Sequence, residues 1–300
     1  MTPQTCHNQE NIPPADRSTI RDAFLYASDD PNSLLGGLFT SPRISNDIFY
    51  SMVEIICVIT DTFEIRDNNG QLIERDDDQL QPGSYYIATN GSITLTTNVP
   101  LLRTTSTQSR TRTRPFREAV RQRDGGCVLT GRPAIPGRWF GLQAAHIFPL
   151  AYEGDWYRLS LRNLITILPD RQSDGSINSV ENGLLLSNEM HSFFDNYLVA
   201  INPYDSYRIV TFGPEPLYCN LLTHIDPLSR QKEGWPPMRL LRWHFEQAVL
   251  TNMKGAGEPC FETDFPPGSD MIGEIMSGPK AAERMEFELF SRLNAIENCS

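Results

Sequence analysis

Ser179-Val-Glu-Asn182-Gly-Leu-Leu-Leu186-Ser-Asn-Glu-Met-His191-Ser-Phe-Phe-Asp195 is the stretch on which the fold turns. Asn182-Gly183 closes a polar loop, and the apolar run behind it reads as a short buried strand. Ser187 or Asn188 then supplies an N-cap, so the spacing predicts a helix over the last residues. On that helix His191 and Asp195 stand one turn apart on one face. An imidazole and a carboxylate so placed can share a divalent metal ion. Upstream, Gly141-Leu-Gln-Ala-Ala-His146-Ile-Phe-Pro149 reads as a second strand, stopped by its proline. Each residue alone has a plainer reading. A histidine in an apolar strand is usually structural, Asn-Gly is usually a turn, and a helical aspartate is usually a cap or surface charge.

Taken together and in this order, the three segments resemble the HNH nuclease family. There a β-hairpin carries the first histidine, a loop the asparagine and a helix the last histidine. The resemblance runs from Cys127 to Asp195 and on into Tyr197-Leu-Val-Ala-Ile-Asn202. It opens at Cys127-Val-Leu-Thr-Gly131 and continues through Ala144-Ala-His146-Ile, Asn182-Gly-Leu-Leu-Leu and His191-Ser-Phe-Phe-Asp195. The nine-residue step from Asn182 to His191 suits the family, whereas the 36-residue step from His146 to Asn182 is long for it. Residues 152–174 therefore read as an insertion whose apolar side chains could fold over the site. More loosely, Leu240-Leu-Arg-Trp-His-Phe and Gly255-Ala-Gly-Glu-Pro259 look like fungal proteins that carry an HNH domain.

The resemblance implies a ββα-metal module that hydrolyses nucleic-acid phosphodiesters, DNA before RNA. His146 would be the general base, and Asn182 would orient it or tether the loop to the hairpin. His191 and Asp195 would hold one divalent metal ion, with Mg, Mn, Zn and Ni all open. Many family members carry a further metal ligand just before the first histidine, where this chain has Ala145. Asp155, Asp170, Asp174 and Glu181 are the acids that could compensate. The rival reading keeps the fold without the chemistry, as an interaction module for nucleic acid or protein. A purely structural domain is a third reading.

The rest of the chain sets the context. Its 300 residues are 39% apolar and 21% charged, which is an ordinary globular balance. The net charge of −11 disfavours non-specific nucleic-acid binding by the chain as a whole, because phosphates need cations. One segment departs from that average. Between Leu101 and Asp124 stand seven arginines against two acids, and Arg112, Arg114, Arg117 and Arg121 are the candidate phosphate contacts. A solvated basic linker would look the same.

Six scattered cysteines without a CxxC pair read as free thiols. His244 reads as packed within a helix, and the acidic run 74–78 as a solvated loop. With no membrane-spanning run and no signal-like start, the expected location is intracellular, in nucleus or cytoplasm.

The expected architecture is α+β. A disordered start (1–16) precedes a region with a small antiparallel β unit (17–102). A basic linker (103–114), the HNH module (115–213) and a helical C-terminal extension (214–300) follow. Apolar positions across 20–52 suggest short helices. Residues 48–60 read as a helix running into a strand, without periodicity settling it. Asn69-Gly70 and Asn90-Gly91 each mark a hairpin. Residues 280–294 read as an amphipathic helix.

Overall fold

The computed structural model of the chain describes residues 17–101, 113–135, 137–214, 220–255, 270 and 272–273. The start at 1–16, most of the basic linker with Arg112, and the stretch 280–294 lie outside the described residues.

The N-terminal unit holds β1 (Ala23–Ala27), β2 (Leu34–Leu38), α1 (Asn46–Ile56), β3 (Cys57–Ile59), β4 (Phe63–Asp67), β5 (Gly83–Thr89) and β6 (Ile93–Leu95). Strands order as β2-β1-β5-β4. The β1/β2 and β4/β5 pairs are antiparallel and the β1/β5 pair is parallel, so this sheet is mixed rather than wholly antiparallel. The short helices expected across 20–52 are instead the strands β1 and β2. Leu25 and its alternate neighbours point inward with a period of two. Within β2, Gly36 lets the Met253 backbone and the Ile56 side chain close in. A Cβ there would sit 2.5 Å from the Met253 carbonyl oxygen and 2.8 Å from Ile56.

The helix-to-strand alternative for 48–60 is realised as α1 and β3. Ser45 caps α1 by accepting from the Ile48 amide, and Ile48, Met52, Val53 and Ile56 pack on the inner face of the sheet. The Asn69-Gly70 turn forms, with the Gly70 amide donating to the Asp67 carbonyl. The hairpin expected at Asn90-Gly91 does not. There β5 stays with β1 and β4, while β6 crosses to pair with β3. Gly91 sits so close to Thr60 and Asp61 that a Cβ would lie 2.7 Å from their atoms. The turn dipeptide thus serves a change of sheet, not a two-strand ribbon.

The second layer holds α2 (Arg114–Asp124), β7 (Leu142–His146), α3 (Glu153–Arg158), β8 (Gly183–Ser187), α4 (Asn188–Asp195), β9 (Val199–Asn202) and β10 (Arg208–Thr211). It is followed by α5 (Pro227–Arg230) and α6 (Met238–Met253). Thr113 caps α2, Pro115 occupies its first turn, and Gly125 at φ 68° ends it. β7 and β8 pair antiparallel, with β8 leading directly into α4.

Two hydrophobic cores result, and they share walls. Along β9, Val199 and Ile201 face the second core while Ala200 faces the first. Likewise α6 gives Leu240 and Leu241 to the second and Phe245, Val249 and Met253 to the first. A helix buried on both sides is a partition, not an appendage. The part of the expected C-terminal extension that is described is therefore central to the fold.

Candidate functional site

The β7–β8 ribbon presents two faces. On one lies α2. His146 stands directly opposite Gly183, so their Cα substituents share a face. A Cβ on Gly183 would lie 2.7 Å from Phe116 and Val120, which locates α2 against that face. The His146 ring stacks on Phe116 with centroids 3.9 Å apart and planes 12° apart. Its Nε2 is 3.2 Å from Asn178 Oδ1. The Asn178 amide is itself oriented, because Nδ2 donates to the Asp174 carbonyl at 2.6 Å. With Nδ2 so committed, Oδ1 is the atom turned to the imidazole, and the ring proton belongs on Nε2.

On the other face lies α4. Gln143 is three residues before His146, and an odd step along a strand reverses the side chain's direction. Gln143 Oε1 lies 2.7 Å from His191 Nδ1, and His191 Nε2 lies 3.2 Å from Asp195 Oδ2. Ser187 sets the start of this helix, its Oγ accepting from the Met190 amide at 3.3 Å. When Nδ1 donates to Gln143, a neutral His191 turns its Nε2 lone pair toward a carboxylate oxygen. Ala145 shares the Gln143 face, so the missing ligand position points toward α4.

The four expected site residues thus form two contacts, not one. His191 and Asp195 meet each other, while His146 meets Asn178 and Phe116. Asn182 belongs to neither pair. It is fully buried, its Oδ1 accepts from the Phe148 amide at 2.9 Å, and its Nδ2 donates to the carbonyls of Phe148 and Ile177. Of its two expected roles, these contacts make the tether between the loop and the strand exit.

Among the described residues no group of three or more His, Cys, Asp or Glu side chains is arranged to hold a metal ion. Two of the four compensating acids, Glu181 and Asp155, are engaged elsewhere. The Glu181 carboxylate accepts from the Thr166 amide, the Thr166 hydroxyl and the Ile167 amide at 2.6 to 2.8 Å, which pins the insertion beside the Asn182 turn. Asp155 pairs with Arg158 at 2.7 Å. Within the insertion Trp156 is buried and bonded to Ser176, whereas Leu168 is 67% exposed. Cys127 is a buried free thiol in a turn closed by the Gly131 amide donating to its carbonyl. His244 packs as expected, stacked on Phe194 at 3.6 Å.

Of the four candidate phosphate contacts, Arg114, Arg117 and Arg121 follow one stripe of α2. Arg114 pairs with Glu118, while Arg121 lies with its guanidinium 5.2 Å above the Trp139 ring. Burial there, followed by the Arg117 charge, lowers Arg121 from its ordinary range, yet a guanidinium stays cationic. Gln143 and Asn178 escaped the sequence reading. Gln143 had a legible signal, since it shares the Ala145 face by a step of two, but Asn178 is joined to His146 only by the fold.

Two family models match the chain. Residues 127–202 match the family described as HNH endonuclease, and residues 20–94 match a Domain of unknown function (DUF8573). No curated protein and no solved structure matches significantly.

Proposed function

Residues 127–202 belong to the HNH endonuclease family, and on that premise we propose that the chain is a metal-dependent endonuclease acting on nucleic-acid phosphodiesters, DNA first. The family generally uses a divalent metal ion. The observation that carries the reading is the His191–Asp195 contact at 3.2 Å, with Gln143 fixing the far nitrogen of the ring. That imidazole–carboxylate pair is of the chemistry that would hold a divalent cation. His191 and Asp195 would hold it, and Gln143 would orient His191 from behind. A divalent cation there offsets phosphate charge and stabilises the leaving oxygen.

The chain's own groups would do the rest. His146, on the α2 face of the ribbon, would have to reach the same phosphate to take the proton from the attacking water, with Asn178 orienting its ring. Phe116 holds the imidazole plane. Asn182 fixes the strand exit that carries His146. Arg117 and Arg121 would meet backbone phosphates.

Plasmid nicking with Mg²⁺, Mn²⁺, Zn²⁺ or Ni²⁺ tests this. We expect cleavage by the wild type and a loss of roughly 100-fold or more in His146→Ala, the range for a removed general base. Equal nicking by both proteins would sink the reading. A second reading keeps the fold as an interaction module without the chemistry. It is favoured by Ala145, by the lack of a third ligand among the described residues, and by the separate faces of His146 and His191. DNA binding without cleavage in any metal would select it.

A further inference from the structure

The loop before β7 carries a surface that the nuclease reading leaves unused. Ile135 and Arg138 close it through a bridge, and the Ala134 amide donates to the Gly125 carbonyl at 2.9 Å. At its end Phe140 is 77% exposed, although its neighbours Trp139 and Gly141 are fixed. Trp139 lies under the Arg121 guanidinium, and the Gly141 carbonyl accepts from the Asn188 amide at 3.0 Å. Phe140 is thus an exposed phenyl ring on a hydrogen-bonded loop, one residue from the contact with the start of α4.

Arginines stand beside it along the chain and against its neighbours. Arg132 and Arg138 are exposed, and the Arg132 guanidinium lies beside Gly141. Arg75, Arg123, Arg208 and Arg242 all pair with carboxylates. Among the described residues Arg121, Arg132 and Arg138 form no such pair, in a chain whose net charge is −11. Cations without a carboxylate partner, set against the residues that flank an exposed aromatic ring, complement a chain of phosphates bearing flat bases. An acidic protein would supply the charge but would leave the phenyl ring without a flat partner.

We propose that Phe140, with Arg121, Arg132 and Arg138, is a docking site for an unpaired or unstacked nucleobase and its flanking phosphates. This rests on the nucleic-acid reading above and deepens it. The substrate class becomes single-stranded or locally distorted nucleic acid in preference to continuous duplex. A stacked duplex hides its base faces, and a single protruding ring can meet one only where stacking is already broken.

The test uses the full chain with a chelator present, so that binding is read without cleavage. Probes are an oligonucleotide single strand, a duplex with a bulged 2-aminopurine and the matching continuous duplex. Wild type should bind the first two more tightly and change the 2-aminopurine fluorescence. Phe140→Ala should lose about tenfold in affinity for those two and lose the fluorescence change, whereas Phe140→Trp should keep both. Arg132→Ala and Arg138→Ala should each lower the salt slope by about one. Unaltered binding by Phe140→Ala, or no binding by wild type, would overturn the proposal. Failure of the two readings is separable. Metal-dependent nicking with no effect of Phe140→Ala on binding removes only this site, and Phe140-dependent binding without nicking in any metal removes only the nuclease.

Discussion

The two layers that share α6 and β9 treat buried polar groups differently. In the N-terminal unit such groups mostly close the backbone, with side-chain pairs such as Arg17 to Asn252 and Thr40 to Asp22 beside them. Ser45 caps α1, and Arg21 donates to the carbonyls of Asn252 and Gly255 at 2.6 Å. In the β7–β8 layer, buried His146 and His191 instead meet other side chains, and Glu181 and Asn182 brace the loop between them. Burying an imidazole among polar partners favours stability less than an apolar side chain would. The difference is that only the second layer buries imidazoles against polar side chains of neighbouring segments, Asn178 and Gln143.

The shared partition offers the hardest test of that contrast. Phe245→Ala removes a nearly buried ring from α6, where the two cores meet. We expect a loss of ~3–5 kcal/mol in urea unfolding, with both layers melting in one transition. Two separated transitions in the wild type would break the picture of a common wall.

Asn182→Ala comes next. It strands the Phe148 amide and two carbonyls in a dry interior, at about 1–3 kcal/mol for an unsatisfied group. Calorimetry should show a clear fall in melting temperature even without metal. An unchanged melting temperature would mean the residue does not brace the loop.

Asp195→Asn should act in the opposite manner. The side chain is 36% exposed, so the apo protein should change by less than about 1 kcal/mol. The stabilisation that divalent metal gives the wild type should nevertheless vanish. A metal-induced melting shift that persists in the variant would move the ion elsewhere.

The smallest expected signal lies in the scaffold. Burial pushes the Cys57 thiol up to about 12, so the nucleophilic thiolate is scarce at any physiological pH. Alkylation at pH 8, followed by peptide mass spectrometry, should modify Cys57 only after urea is added. Rapid labelling of the native protein would show that this core opens.

Much of the site's local geometry was legible in advance. Ser187 was readable as a cap, and the four-residue step from His191 to Asp195 could mean only one helical face. The apolar run after Asn182 was readable as a strand. The N-terminal unit was less so. Leu-Leu-Gly-Gly-Leu of β2 carries a weak strand signal, and its Gly36 makes sense only once Ile56 and Met253 press on it.

By itself, the sequence determined the local elements around the three segments, because caps, prolines and periodicity act through neighbouring dihedral angles. Tertiary structure alone decided who meets whom. It paired β5 with β1 rather than β6, set Asn178 on His146, and gave the two histidines opposite faces of one ribbon. Those choices follow from burying whole faces against distant segments, a non-local gain that no short window of residues contains.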